Sequence, residues 1–374
     1  MLPNSEIDVP PNSPIKLLPL ELLQNIFQYY SCGGTDLPES LLFVCRHWHD
    51  AAISFPILWS NIDAVSLQIR PKWTVRFIRA RCVRSYPLPL NLDLGVEAAL
   101  DAVVDTPTLL DRCTSIHIRT TEQWRVVGSR LPRLKHLVLS WRIAEGNWDE
   151  IPTLQSLTLK GLGGIGDRWT VTLLKNIVQL EATYSWRLWI DMQHAAIFAP
   201  KLQVLHLNML QLPLRESVLE RLYFQHTSPR SIRERTFDQV AHLILRYSSI
   251  NPMPAVRHPL PFFSVPCLIH LEILLYHPRE INNLLTFDYP TVTRLTVTMF
   301  SNPHLAVANI TEDPVDIQSL LDLMKRLPNL VNADFTVTSV IMDGLRAELR
   351  RNPLTLPLPI IIHNSTLPPC LMTS

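Results

Sequence analysis

The chain has 374 residues, 47% of them hydrophobic, and a formal net charge of +1. That length accommodates a large core or two to three ordinary domains, and the hydrophobic content excludes a disordered chain. The balance of charge argues against bulk electrostatic attraction, so neither nucleic acid nor a membrane surface is expected as a partner.

The first residues, MLPNSEIDVPPNSP, hold no apolar stretch of the kind a signal peptide needs. No apolar run reaches the ~20 residues of a membrane span. Cys32, Cys45, Cys82, Cys113, Cys267 and Cys370 are scattered without a framework and read as reduced thiols, so a cytoplasmic and/or nuclear location is expected. Asn309-Ile310-Thr311 and Asn364-Ser365-Thr366 match the glycosylation sequon, and without a secretory signal they read as chance matches. The 31 Pro against 10 Gly point to many short elements punctuated by proline. Of the 34 basic residues only seven are Lys, the rest being Arg.

Residues 1–13 read as a disordered tail. Residues 14–62 read as a helical unit. Pro19 suits a first helical turn, Glu21 complements the dipole, and Leu22, Leu23, Ile26 and Phe27 form an apolar face. Ser31 to Gly34 end that helix. A second helix is expected from Pro38-Glu39-Ser40 through LLFVCRHWHDAA, with Leu41, Val44, Cys45, Trp48 and Ala52 as its stripe. Phe55-Pro56 breaks it, and Ile57-Leu58-Trp59 begins a third segment. Cys45 and His49, four apart on a helix, are two potential ligands where a structural zinc site needs four, and no second pair lies nearby. No metal or cofactor is expected. Roughly fifty residues cannot bury so many large side chains internally, so some must meet another surface.

In order, the unit contains Leu18-Pro19, Glu21-Leu22-Leu23, Ile26-Phe27, Val44-Cys45-Arg46, Trp48 and Leu58-Trp59. This resembles the F-box family. A departure is the long connection from Ser31 to Pro38, with Gly33-Gly34. The resemblance implies docking onto a Skp-type adaptor and, through it, a cullin ligase core. It implies Leu18, Pro19, Leu22, Ile26, Val44, Cys45 and Trp48 as adaptor-facing residues, with Phe27, Leu41 and Trp59 internal.

Residues 63–105 read as a linker with a capping helix and strand. In PKWTVRFIRARCVRS a helix would turn Trp73, Phe77 and Ile78 inward and Arg76, Arg79 and Arg84 outward.

Beyond residue 105 a phrase recurs, a breaker followed by a spaced aliphatic and then alternating aliphatics: LPRLKHLVLS (131–140), IPTLQSLTLK (151–160), APKLQVLHLN (199–208), VPCLIHLEIL (265–274), YPTVTRLTVT (289–298) and LPNLVNADFT (327–336). RCTSIHIR and FDQVAHLILR are weaker copies. Leu134, Leu154, Leu202, Leu268, Val292 and Leu330 anchor the copies. Each predicts a short strand with inward aliphatics, unstable alone and buried by stacking on its neighbours. Residues 106–345 thus resemble the divergent leucine-rich repeats often found after an F-box, and 346–374 read as a C-terminal tail. An ordinary α/β domain whose strands follow prolines is the alternative. The expected fold class is α/β, with an N-terminal F-box helical bundle followed by an irregular leucine-rich-repeat-like α/β solenoid.

GLGGIG (161–166) satisfies G-x-G-x-x-G after a strand-like SLTLK, which locally suggests a dinucleotide site. The acid expected at the end of the next strand is missing, because LEATYS runs into Trp186-Arg187. No catalytic constellation emerges, and the chain reads as a non-enzymatic receptor. The outward positions of the strands are the better candidate surface. His117, Arg119, His136, Lys160, His206, Arg246 and Arg294 are the substrate-binding candidates, and their basic excess favours an acidic or phosphorylated protein. Trp124, Trp141, Trp148, Trp169, Trp186 and Trp189 cluster in this region as either anchors or packing residues. The expected function is a substrate-recognition subunit of a cullin–RING (SCF-type) ubiquitin ligase. A non-degradative interaction scaffold is the alternative, and a nucleotide-binding oxidoreductase acting through GLGGIG is the remote one.

Overall fold

Pro19 needs no N–H in a first turn, and α1 (Leu20–Gly33) begins directly behind it. The Pro19 carbonyl accepts from the N–H groups of Leu22 and Leu23, each at 3.1 Å. The computed structural model describes residues 18–33, 38–63, 71–95, 100, 103, 106–140, 151–160, 173–184, 199–210, 235–236, 239–248, 263–275, 289–299, 315–337, 339–351 and 360–364. Two units emerge, residues 1–153 with 368–374, and residues 154–367.

In the first unit α1 is followed by a 3-10 turn (Pro38–Phe43), α2 (Arg46–Ile53) and a second 3-10 turn (Pro56–Trp59). The single second helix expected from the sequence is two pieces. Cys45 caps α2 in extended conformation, with φ −166 and ψ 169. The reason lies in which side chains are buried. Glu39 and Leu41, two apart, both point inward, while Val44 is exposed and Cys45 half-buried. No single amphipathic helix satisfies that set together with Ala51 and Ala52. Leu23, Phe27, Leu41, Ala51, Ala52, Leu58 and Trp59 form the bundle core. Trp59 Nε1 donates to the Ala52 carbonyl at 2.8 Å, which satisfies its buried N–H.

Next come β1 (Asn61–Asp63) and α3 (Pro71–Arg84). Ile78 is buried, Phe77 half-buried, and Arg76 and Arg79 exposed, as the helical spacing predicts. Arg84, expected outward, is half-buried with its guanidinium 4.6 Å over the Trp59 ring. Arg81 lies three residues beyond Ile78, on the inward face. Its guanidinium turns into the bundle and binds Glu39.

β2 (Leu90–Asp93), α4 (Pro107–Arg112), β3 (Cys113–Ile118), α5 (Thr121–Val127) and β4 (His136–Ser140) complete the described part of this unit. The strands run parallel in sequence order, β1 beside β2, β2 beside β3 and β3 beside β4. Thr120 and Gln123 close a reciprocal capping box at the start of α5. Leu92, Ile116, Ile118, Leu137 and Leu139 bury one face of the sheet, with Leu109, Leu110, Trp124 and Val127 on the helices also buried.

The second unit repeats this logic. Its main sheet contains β5 (Ser156–Lys160), β6 (Gln179–Tyr184), β7 (Val204–Leu210), β9 (His242–Ser248), β11 (His270–Leu275), β12 (Arg294–Met299), β13 (Asn332–Val337) and β14 (Ile360–Asn364), all parallel neighbours in that order. The short β8 (Arg235–Thr236) and β10 (Phe263–Ser264) pair separately. α6 (Val315–Lys325) precedes β13, and α7 (Ser339–Arg351) and β14 follow it, reaching past residue 346 into the segment expected as a tail. This is the mixed α/β architecture with successive parallel strands, solenoid-like in arrangement, that the recurring phrase predicts.

The phrase has a physical meaning. An anchor N–H bonds the carbonyl three residues back: Leu134 to Leu131, Leu202 to Ala199, Leu268 to Val265, Val292 to Tyr289 and Leu330 to Leu327, at 3.1 to 3.3 Å. Every anchor is buried. A proline one residue after the accepting carbonyl suits such a turn, since its missing N–H forfeits nothing there. Behind each turn the first inward positions align across the sheet as Leu157, Leu180, Leu205, Leu243, Leu271, Leu295 and Ala333. The sequence reading missed one copy. Leu174-Lys175-Asn176-Ile177 makes the same turn at 3.3 Å with buried Ile177, and lacks the proline that marked the others.

Candidate functional site

Two surfaces are available, an apolar face on the bundle and the polar faces of the sheets. On α1, the three- and four-residue steps separate Leu23 and Phe27, fully buried, from Leu22 and Ile26, which are 49% and 43% exposed. Leu18, Leu22, Asn25, Ile26 and Tyr29 line a shallow apolar groove. Pro19 is exposed beside it, and Val44 is exposed on the connection to α2. Leu18 and Trp48 are only partly exposed and pack against the bundle core. The Trp48 ring meets Phe27 edge-on, 5.3 Å between centroids, and its Nε1 is buried with no hydrogen-bond partner. His47 Nε2 lies 3.2 Å from the Leu18 carbonyl and ties the start of α1 to α2.

In the first unit, the outward residues of β2, β3 and β4 interlock. His117 Nδ1 lies 2.8 Å from Asp93 Oδ2, and His117 Nε2 lies 2.6 Å from Ser140 Oγ. Arg119 Nη2 donates to Asp93 Oδ2 at 2.9 Å, and Gly95 N donates to Asp93 Oδ1 at 3.0 Å. Gly95 has φ 26, a conformation that permits this tight return. Burial alone would raise the Asp93 carboxyl. Hydrogen bonds from His117 and Arg119, the His117 charge and the Gly95 N–H outweigh it and hold Asp93 well below the usual carboxylate range. Carboxylate, imidazole and hydroxyl stand in the order used by nucleophilic hydrolases. Acyl transfer also requires oxyanion donors and a substrate cleft, and here the carboxylate is shared with Arg119 and Gly95. The network acts as a tie across three strands. His136, a candidate on β4, is exposed and aligns with Ser115.

In the second unit, Lys160 is exposed at the end of β5. His206 Nδ1 lies 3.6 Å from Glu181 Oε1. The pairing of β9 with β11 sets His242 opposite His270, with rings stacked 4.1 Å apart. Glu272 Oε2 lies 3.3 Å from His242 Nε2, and His270 Nε2 lies 2.9 Å from Thr296 Oγ1. Burial pushes the His206 and His270 imidazoles below the usual histidine range, and Arg246 and Arg294 respectively add to that effect. Arg294 is exposed opposite His270 on β12. The structure therefore gathers His206, Arg246 and Arg294 around His242, His270 and Glu272. It places His117, Arg119 and His136 in the other unit.

Asp93, Glu181 and Glu272 were missed as site residues. The alternation that turns His270 outward turns Glu272 outward too, so period two in HLEILL already carried that signal. Among the described residues these acids offset the basic excess read from the sequence. GLGGIG, Trp141, Trp148, Trp169, Trp186 and Trp189 lie outside the described residues. Trp124, on α5, is buried.

A small N-terminal helical bundle with an exposed apolar row, followed in the chain by successive parallel strands, defines a mixed α/β protein. Residues 15–64 match the F-box-like family model, so the chain carries an F-box-like domain, a protein-interaction module. No curated protein matches the chain. Among solved structures, a protein from Bacteroides fragilis is similar at 14% identity and a TM-score of 0.29, covering 73% of this chain and 62% of that one. The chain thus spans less than two thirds of that protein, and a likeness this slight carries no functional argument. No described helix is long and apolar enough to cross a membrane.

Proposed function

We propose that the chain is the substrate-recognition subunit of a cullin–RING (SCF-type) ubiquitin ligase. Its F-box-like bundle docks a Skp-type adaptor, and the outward faces of its strands capture a protein. The carrying observation is the exposure of Leu22 and Ile26 beside buried Leu23 and Phe27 on one helix. Apolar side chains kept in water on a short bundle support a partner surface. Ubiquitin transfer then belongs to partner subunits, and this chain supplies binding and orientation without catalytic residues of its own. Few lysines also suit a receptor held beside a ligase. With Asp93, Glu181 and Glu272 among the outward residues, the captured protein presents both charge signs and not a purely acidic or phosphorylated surface.

The test is co-purification of the tagged chain with a Skp-type adaptor and cullin, beside a Leu22→Asp/Ile26→Asp variant. Both positions are exposed, so the variant is expected to fold, as circular dichroism checks. The wild type should retain both partners and the variant neither. Adaptor retention without cullin would favour a non-degradative scaffold. A folded wild type that binds no adaptor would end the proposal.

A further inference from the structure

We propose that His242, His270 and Glu272 form a binding site for a divalent transition-metal ion of the zinc type. Each offers one ligand atom, and these atoms lie within 4.8 Å of one another. The sheet creates the grouping. His242 and His270 are register partners on β9 and β11, and Glu272 is two residues along the same face of β11.

A second observation points to a ligand. His206 Nε2 and His242 Nε2 are buried from water and have no hydrogen-bond partner. Glu272 Oε2 is 3.3 Å from His242 Nε2, close enough for charge attraction but not aligned as a hydrogen bond. A buried imidazole nitrogen without a partner is a costly arrangement, and an ion accepting its lone pair removes the cost. Thr296 Oγ1, 2.9 Å from His270 Nε2, fixes that ring as the outer partners of metal-binding histidines do.

The donors select the ion. Two imidazoles and one carboxylate suit Zn2+ and its neighbours, whereas Mg2+ and Ca2+ prefer all-oxygen sites. Ligands on a tetrahedral ion with bonds of about 2.1 Å stand about 3.4 Å apart, so binding must tilt the His242 and His270 rings out of their stack, in which they lie 12° from parallel, to converge their nitrogen lone pairs. Three protein ligands leave one position open, as in sites that exchange water for another ligand. Arg246 and Arg294 oppose a cation here, and Glu181 and Glu272 offset them.

The site does not depend on adaptor docking, and its test reads metal alone. The full chain, stripped with chelator, is titrated with Zn2+ by calorimetry at pH 7.5, with Mg2+ as comparator. Co2+ absorbance reports the coordination geometry. His270→Gln and Glu272→Gln are measured alongside, with exposed His136→Gln as control and circular dichroism as the check on folding. One Zn2+ per chain is expected, with binding weakened at least about tenfold in both site variants and unchanged in the control. No binding by the wild type, or binding equally tight in both folded site variants, would overturn the proposal.

Discussion

Glu39 and Arg81, 42 positions apart, close a two-point ion pair, with Arg81 Nε donating to Glu39 Oε1 at 2.7 Å and Nη2 donating to Oε2 at 2.6 Å. Both side chains are almost fully buried. The pair joins the first 3-10 turn of the F-box-like domain to α3, which lies beyond residue 64. Arg84 on the same helix stacks 4.6 Å over Trp59. The bundle is therefore completed by a helix outside the family match, which explains how a domain rich in large apolar residues keeps its core closed on that side.

Removing one partner leaves the other charge buried and unpaired. Arg81→Ala should cost about 3–5 kcal/mol, whereas Glu39→Leu with Arg81→Met should fall within about 1 kcal/mol of wild type or exceed it. Urea unfolding of the three proteins checks this. A single variant as stable as the double one would show that the pair is solvated.

Trp48 behaves differently from an exposed anchor. Its ring packs edge-on to Phe27, and its N–H finds no acceptor. Trp48→Phe keeps an aromatic ring at Phe27 and deletes the unpaired donor, so stability should change by less than about 1 kcal/mol. Trp48→Ala should cost about 3 kcal/mol. Thermal melts distinguish the two outcomes, and a Phe variant as damaged as the Ala variant would mean that the indole N–H is paired.

Much of this fold is legible in the sequence because the signal is local. Leu18-Pro19 marks the start of α1, and a proline before each anchor marks most turns of the sheet. Ile177 was missed because its turn uses Leu174-Lys175-Asn176, where burial of the anchor does the same work without proline. The break at Cys45 was missed because helical spacing at Leu41, Val44, Cys45 and Trp48 is a true local pattern. It is overridden by Glu39, whose partner Arg81 lies on another helix. The site residues divide in the same way. Glu272 follows from alternation, but the stacking of His242 on His270 depends on register between strands that no local spacing reports.

If the turns are equivalent, their anchors should be too. Leu202→Ala should cost about 2–5 kcal/mol through lost burial and the cavity left behind. Ile177→Ala should cost a similar amount, although its copy lacks the proline. Denaturant midpoints test this, and an Ile177 variant near wild type would remove that segment from the array.

Asp93 makes the first unit sensitive to acid. Its folded carboxyl titrates below its unfolded value of about 3.9, so its contribution is complete above that pH and is lost as pH falls toward the folded value. His117→Ala removes one hydrogen bond and one charge from the carboxylate. The variant should lose less stability than wild type between about pH 4 and pH 2. Parallel loss in the two proteins across that window would contradict the assignment.

Gly128 offers a case where backbone preference and packing disagree. It follows α5 with helical angles, φ −57 and ψ −42, so its backbone would accept alanine. Reduced freedom in the unfolded chain would normally make such a change stabilising by about 0.4–1 kcal/mol. A Cβ at this position, however, would stand 2.6 Å from Trp124 Cε2 and 2.8 Å from Cζ2. Those are ring atoms of a buried indole, which has little room to withdraw. Overpacking should win, and Gly128→Ala should destabilise by about 1–3 kcal/mol. The same substitution in a Trp124→Leu background meets no ring and should lose most of that penalty. A thermal-melt double-mutant cycle reads the difference directly. An equal penalty in both backgrounds would place the cost in the backbone and not in the indole.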